Sequence, residues 1–153
     1  MIIESKRCII RNFKEADAPA LKAILGNPRV MEYIETPFTE EKTRNFIESK
    51  GLCQPPLVYA LEYKEGNELI GQVIFHEYEG GSYEIGWIIS DKYWNRGIAD
   101  EITKSLIAFA KKSLLRALII ECDSRQKKSI KIAVKNGFRL IKDEGLHTYE
   151  LLL

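Results

Sequence analysis

Apolar and polar positions change period several times along this chain, and each change marks an element. Across 82–89, Tyr83, Ile85, Trp87, Ile88 and Ile89 make a short aromatic and β-branched run that predicts a strand. Residues 90–93 are a polar connection, and Trp94-Asn95-Arg96-Gly97-Ile98-Ala99 is a small-residue loop that opens directly into a helix. From there Ile98, Ile102, Leu106, Phe109, Ala110 and Leu114 fall at helical spacing on one face. Upstream, 57–63, 68–77 and 82–89 are three strands at hairpin spacing, with turns at Glu65-Gly66-Asn67 and Glu79-Gly80-Gly81, which predicts an antiparallel meander. Downstream, 117–122 (ALIIEC) is a dense apolar strand reached across a helix, so a parallel crossover from 82–89 is expected.

The flanks complete the pattern. Residues 2–11 read as one first strand, and a helix from Glu15 to about Leu25 shows Leu21, Ile24 and Leu25 on its apolar face. Asn27-Pro28 stops it, and a short helical piece is expected over 29–33. Thr39 reads as the N-cap of a further helix, with Glu40 and Glu41 in its first turn and an end at Lys50-Gly51. A last helix over 127–136 turns Ile130, Ile132, Ala133 and Val134 inward and closes with a left-handed cap at Asn136-Gly137. Residues 138–142 and 147–153 form a closing strand pair. The fold class is mixed α/β around a mostly antiparallel sheet, and 1–153 reads as one domain.

Composition narrows the function classes. With 153 residues and 45% hydrophobic content the chain builds one sizeable core. Its 23 Lys and Arg against 22 Asp and Glu give a net charge of +1, which argues against a general nucleic-acid binder. Arg125, Lys127, Lys128, Lys131 and Lys135 are the one local basic cluster. Cys8, Cys53 and Cys122 are odd in number and widely spaced, and with His76 and His147 they offer no metal-ligand spacing, so no metal site is expected. Free thiols in a reducing compartment are the simplest reading. The charged N-terminal residues do not suit a signal peptide and no run reaches the length of a membrane span, so a cytoplasmic protein without a membrane partner is expected.

The 94–99 junction points at a phosphate. A helix start carries unpaired N–H groups and a partial positive charge, and Gly97 and Ala99 leave room for an anion to approach the backbone. The plainer alternative is a strand–turn–helix in which Gly97 only permits the turn. Glu84 sits mid-strand and faces opposite to Tyr83, Ile85 and Trp87, so it is either a base near a cleft, or a carboxylate solvated on an open sheet face or paired with a neighbouring strand. Cys122 reads as a packing residue before a nucleophile.

Together these features resemble the GNAT superfamily of N-acetyltransferases, most closely the branch of the ribosomal-protein N-terminal acetyltransferases. The resemblance rests on Glu84-Ile85-Gly86-Trp87 leading into Tyr93-Trp94-Asn95-Arg96-Gly97-Ile98-Ala99, and on Ser129 followed by Lys135-Asn136-Gly137-Phe138. It rests also on the opening residues 11–17 and 27–31 and the closing Tyr149-Glu150-Leu151. It implies a sheet of about seven strands flanked by four helices, with a parallel pair. It implies acetyl-CoA as cosubstrate and a primary amine as acceptor, on a protein N-terminus or a small molecule. The cofactor would lie on Ile88, Ile89 and Ser90, where the strand splays from 117–122, on Trp94, Asn95, Arg96, Gly97, Ile98 and Ala99, and on Gln126 and Ser129. One or two members of the basic cluster would meet the 3′-phosphate. Glu84 would be the catalytic base, and Tyr33, Phe38 and Trp87 would line the acceptor cleft. Tyr93 and Trp94 either touch the cofactor or anchor the core. Trp94 and Gln126 depart from the commoner residues at their positions, and Ala133 stands where many members carry a proton-donating Tyr. The alternative is therefore a non-catalytic acyl-CoA-binding or regulatory domain of the same fold. Monomer and homodimer are both open.

Overall fold

The computed structural model describes residues 2–153. One eight-stranded sheet in the order β1-β2-β3-β4-β5-β6-β8-β7 separates two helical layers. The strands are β1 (Ile3–Glu4), β2 (Cys8–Arg11), β3 (Val58–Tyr63), β4 (Glu68–Glu77), β5 (Ser82–Ile89), β6 (Ala117–Cys122), β7 (Arg139–Lys142) and β8 (His147–Leu152). The helices are α1 (Ala18–Leu25), α2 (Glu40–Phe46), α3 (Ile98–Lys112) and α4 (Lys127–Lys135). The count of eight rather than seven comes from the N-terminus. The polar Ser5-Lys6-Arg7 breaks the expected first strand into a hairpin, with Ile3 opposite Ile10, and Ser5 Oγ accepts the Cys8 N–H at 3.0 Å.

Alternation along the strands sends side chains into two cores. Tyr59, Leu61, Val73, Phe75, Ile85 and Leu118 pack under α3 and α4 with Ile98, Ile102, Leu106 and Ala133. Val58, Ala60 and Leu69 pack under α1 and α2 with Leu21, Leu25, Phe38 and Ile47. A clamp joins the second layer to the sheet edge. Arg11 donates to both oxygens of Asp17 at 2.9 Å and to Glu62 Oε1 at 2.9 Å. Burial opposes ionisation of Asp17, but the Arg11 guanidinium and the Lys14 N–H outweigh it and hold the carboxyl below its ordinary value.

Several local expectations change. Residues 29–33 form successive turns instead of a helix, because the N–H groups of Arg29, Val30 and Met31 all go to Asn27 oxygens. Thr39 does cap α2, accepting the Lys42 N–H at 3.1 Å, but the last turn before Leu52 is a wider π-type turn, Ile47–Gly51. Leu114 leaves the α3 face altogether. It is 90% exposed at φ +58°, in the left-handed position of a cap closed by Leu115 N–H to Ala110 O at 3.0 Å. Val134 also points outward from α4, since Ala133 is the residue that meets the sheet. Gly137 takes the expected left-handed cap at φ +90°.

Candidate active site

The parallel β5–β6 ladder pairs Ser82 with Ala117, Tyr83 with Leu118 and Glu84 with Ile119, and stops there. β5 instead continues along β4 to Gly71 opposite Ile89, so the two parallel strands part after Glu84. In the strand, alternate residues turn their N–H and C=O to opposite sides. Ser90 donates its N–H to Ile70 O at 2.7 Å, so Ile88 also faces β4 while Trp87 and Ile89 face the splay. The strand edge available to an extended ligand is therefore that of Trp87 and Ile89. The Ser90 N–H is already occupied, and the Ser90 hydroxyl faces the Lys92 N–H at 3.4 Å in the turn that follows.

At the end of this splay lies a groove of about 900 Å³. Trp87, Ile88, Ile89, Trp94, Asn95, Gly97, Ile98, Ala99, Gln126, Ser129 and Tyr33 all line it, which brings most of the sequence-predicted residues to one place. The loop backbone is shaped for an anion. Asn95 and Gly97 take left-handed conformations at φ +61° and +76°, and the first intrahelical bond of α3 is Glu101 N–H to Gly97 O. The N–H groups of Ile98, Ala99 and Asp100 in the first turn of α3 thus have no helical acceptor. Trp94 positions this loop, donating its indole N–H to Ile89 O at 2.9 Å. It also lines the groove and packs against the core.

Both acids in that first turn are neutralised, Glu101 by Arg7 at 2.8 Å. Asp100 accepts from Lys104 at 2.6 Å, Asn136 at 2.8 Å and Lys135 at 3.1 Å, and these bonds, led by Lys104, hold its carboxyl far below the ordinary range. The basic cluster is an exposed face that borders the groove. Arg125, Lys127, Lys128 and Lys131 line the groove, while Lys135 is bound to Asp100. Lys128 reaches Asn95 Oδ1 at 3.0 Å, and Arg125 stacks over the Tyr33 ring at 4.7 Å, tying the 27–34 turns to the opposite wall. Arg96 lies outside the groove, with its guanidinium over the Tyr93 ring at 4.9 Å.

Glu84 and Phe38 line a second, smaller cavity of about 280 Å³ on the α1–α2 side of the sheet. The expected acceptor wall is thus divided, with Tyr33 and Trp87 in the groove and Phe38 in the cavity. Ile34 and Ile88 line both and form their joint. Glu84 does pair with the neighbouring strand, as the plainer reading had it: His76 Nε2 stands 2.9 Å from Glu84 Oε2. His76 Nδ1 lies 2.9 Å from the Glu77 carbonyl, which can only accept, so Nδ1 carries a proton. The second imidazole nitrogen and the carboxylate then share one further proton between them. Burial pushes the Glu84 carboxyl up, His76 opposes this, and Glu121 reinforces it.

Two residues of this region were missed in the sequence. Gln72 is only 3% exposed on β4, opposite Ile88, and its Oε1 has no hydrogen-bond partner. Arg29, in the 27–34 turns, stacks on Trp94 at 5.0 Å. The signal for Gln72 was present as a lone amide inside the apolar run of 69–75. Cys122 lines neither cavity, and burial pushes its thiol up, which does not suit a nucleophile.

The profile of the acetyltransferase (GNAT) domain family matches residues 7–139. The uncharacterized N-acetyltransferase YnaD of Bacillus subtilis is 31% identical over 142 residues, 91% of this chain and 83% of its own. Among solved structures, a GNAT-family acetyltransferase from Bacillus anthracis superposes with a TM-score of 0.88 at 30% identity, over 99% of this chain and 98% of that one. RimL, a ribosomal L7/L12 α-N-protein acetyltransferase solved with coenzyme A, shares the fold at a TM-score of 0.84 and 20% identity, over 100% of this chain and 98% of its own. The chain belongs to the GNAT family and is an acetyltransferase.

Proposed function

We propose that this protein transfers acetyl from acetyl-CoA directly to a primary amine, with both substrates bound together. The observation that carries this reading is the meeting of the β5–β6 splay and the 94–99 loop in one groove. The free N–H groups of that loop and the start of α3 suit a pyrophosphate, and Lys127, Lys128 and Lys131 suit the nucleotide's remaining charge. The pantetheine arm adds to the edge of Trp87 and Ile89 as a short extra strand. An N–H of that edge polarises the thioester carbonyl.

The acceptor enters from the α1–α2 side, past Ile34 and Ile88. A lysine amine has a solution pKa of about 10.4 and an α-amine about 8, so a base assists at neutral pH. Glu84 takes that role through water, its proton shared with His76. The amine attacks the thioester carbon, the C–S bond breaks, and the thiolate takes up a proton as the new amide forms. A protein N-terminus and a small amine are both acceptors of the right chemistry. The fully buried Ala133, where many members carry Tyr, favours one other reading, a domain that binds acyl-CoA without turnover.

A thermal shift with acetyl-CoA, beside CoA and ATP, tests the cofactor site. Ligand at about 100 times its Kd adds about 2.7 kcal/mol, or about 5–10 °C for a chain of this size. A shift with acetyl-CoA and none with ATP supports the reading, and its absence at millimolar acetyl-CoA overturns it. A shift without turnover on any amine would select the non-catalytic alternative.

A further inference from the structure

The smaller cavity has a chemistry of its own. Its walls are mostly apolar, with Leu25, Met31, Phe38, Phe46, Val58 and Ile74 among them, and Lys50 adds a cation. Two carboxylates line it, and each already has a cation or a shared proton: Glu35 holds Lys42 at 2.7 Å, and Glu84 holds His76 at 2.9 Å. A second positive charge on a ligand would find no free anion there, and burying an unpaired charge is costly.

Gln72 is the unexplained group in this wall. A buried amide oxygen without a partner carries a desolvation cost that folding does not recover. It stands directly across from Ile88, at the joint with the large groove. His76 is four residues farther along β4, about 13 Å of extended strand, so it is not the donor that Gln72 lacks. Oε1 is sealed from the cavity as the amide stands, so the amide must turn to present it, and an amine waiting beside the thioester is then the donor it lacks.

We infer that this cavity seats the apolar group of the acceptor, a primary amine carried on an uncharged apolar moiety, and that Gln72 Oε1 accepts a hydrogen bond from its amino group. The inference rests on the acetyltransferase reading above and names the acceptor class for it. Polyamines and acceptors with a second cation next to the amine are disfavoured.

The test is a series of acceptors on the wild-type chain at saturating acetyl-CoA: leucinamide, glycinamide, lysinamide and spermidine. The first three share an α-amine and differ only in the side chain. Leucinamide is expected to exceed each of the others by about tenfold or more in kcat/KM, the discrimination that burying an isobutyl group allows. Comparing leucinamide with a leucine-initiated tetrapeptide then separates a free amine from a chain N-terminus, and a preference for either one supports the apolar class. Gln72→Met keeps the volume and removes the amide. It should raise KM for leucinamide about tenfold, leave acetyl-CoA affinity unchanged and not lower the melting temperature. Equal or better turnover of lysinamide or spermidine overturns the inference, as does an unchanged KM in the folded variant. Because the acceptor series uses the wild-type chain, it decides the matter even if Gln72→Met does not fold. Failure to bind acetyl-CoA would instead bring down the underlying function, so the two failures are distinct.

Discussion

Gly71→Ala sets a methyl group against the backbone of the strand that borders the groove. A Cβ built there stands 2.2 Å from Ile88 O and 3.1 Å from Ile89 Cα, where ordinary contact begins at 3.4 Å. The obstacle is main chain, so β5 must move by about 1 Å or more, stretching the Ser90 N–H to Ile70 O bond of 2.7 Å. Overpacking and a weakened ladder bond together cost about 2–4 kcal/mol. In a chain of this size that lowers the melting temperature by about 5–10 °C. Gly86→Ala is the control, placed on the neighbouring strand β5. Its Cβ meets the Ile74 Cδ1 at 3.2 Å, the end of a flexible side chain, and should cost about 1 kcal/mol or less. Urea unfolding of both variants, with an acetyl-CoA titration of each, reads the effect. Gly71→Ala should also bind acetyl-CoA about tenfold more weakly, because Ile88 and Ile89 are displaced. If both variants are equally stable, or if Gly71→Ala keeps full affinity, the close approach of β4 and β5 does not shape the groove.

Glu84→Gln should lower kcat/KM about 10²-fold with little change in acetyl-CoA affinity, which single-turnover kinetics and titration will separate. The base works in its ionised form, and burial raises its pKa, so the wild-type pH–rate profile should lose activity with falling pH earlier than an ordinary carboxylate of about 4.3 would. That limb should vanish in the variant. Asp17 and Glu101, both held below their ordinary values, contribute stability that is present above the ordinary carboxylate range and lost as pH falls through their lowered values. Asp17→Asn should cost about 2–3 kcal/mol at pH 7 and flatten the acid limb of a urea midpoint series. Leu114→Gly should stabilise the chain by about 0.5–1 kcal/mol in the same assay, since it relieves a left-handed leucine that is 90% exposed.

The sequence carried the strand–loop–helix of 82–112 clearly, because its periods switch from two to about four across a Gly-containing loop. The helix stop at Gly137 was equally plain. What failed was local polar chemistry overriding apolar pattern: Ser5-Lys6-Arg7 splitting a strand, Asn27 capturing three N–H groups, and Leu114 sitting two residues past the helix end. The groove residues were legible because they come from three compact runs, 29–34, 87–100 and 125–132. The cavity was not, because its members come from six separate pieces of chain. One part of it could have been read, since His76 and Glu84 are equidistant from Gly80 at the turn of their hairpin, which places them face to face. Whether Ser90 or Ile89 offers its N–H to the splay depends on register, which residue pattern alone leaves undetermined.

The strand order has a consequence for the chain as it is made. β8 lies between β6 and β7, so β7 can join the sheet only through a strand synthesised after it. Until residues 147–152 have emerged, β6 is an open edge, flanked by the apolar Leu118 and Ile120 and with its Ala117–Cys122 backbone unpaired on that side. A nascent or prematurely terminated chain that already holds α3, α4 and the whole 94–99 loop therefore still exposes a strand edge ready to pair with another molecule.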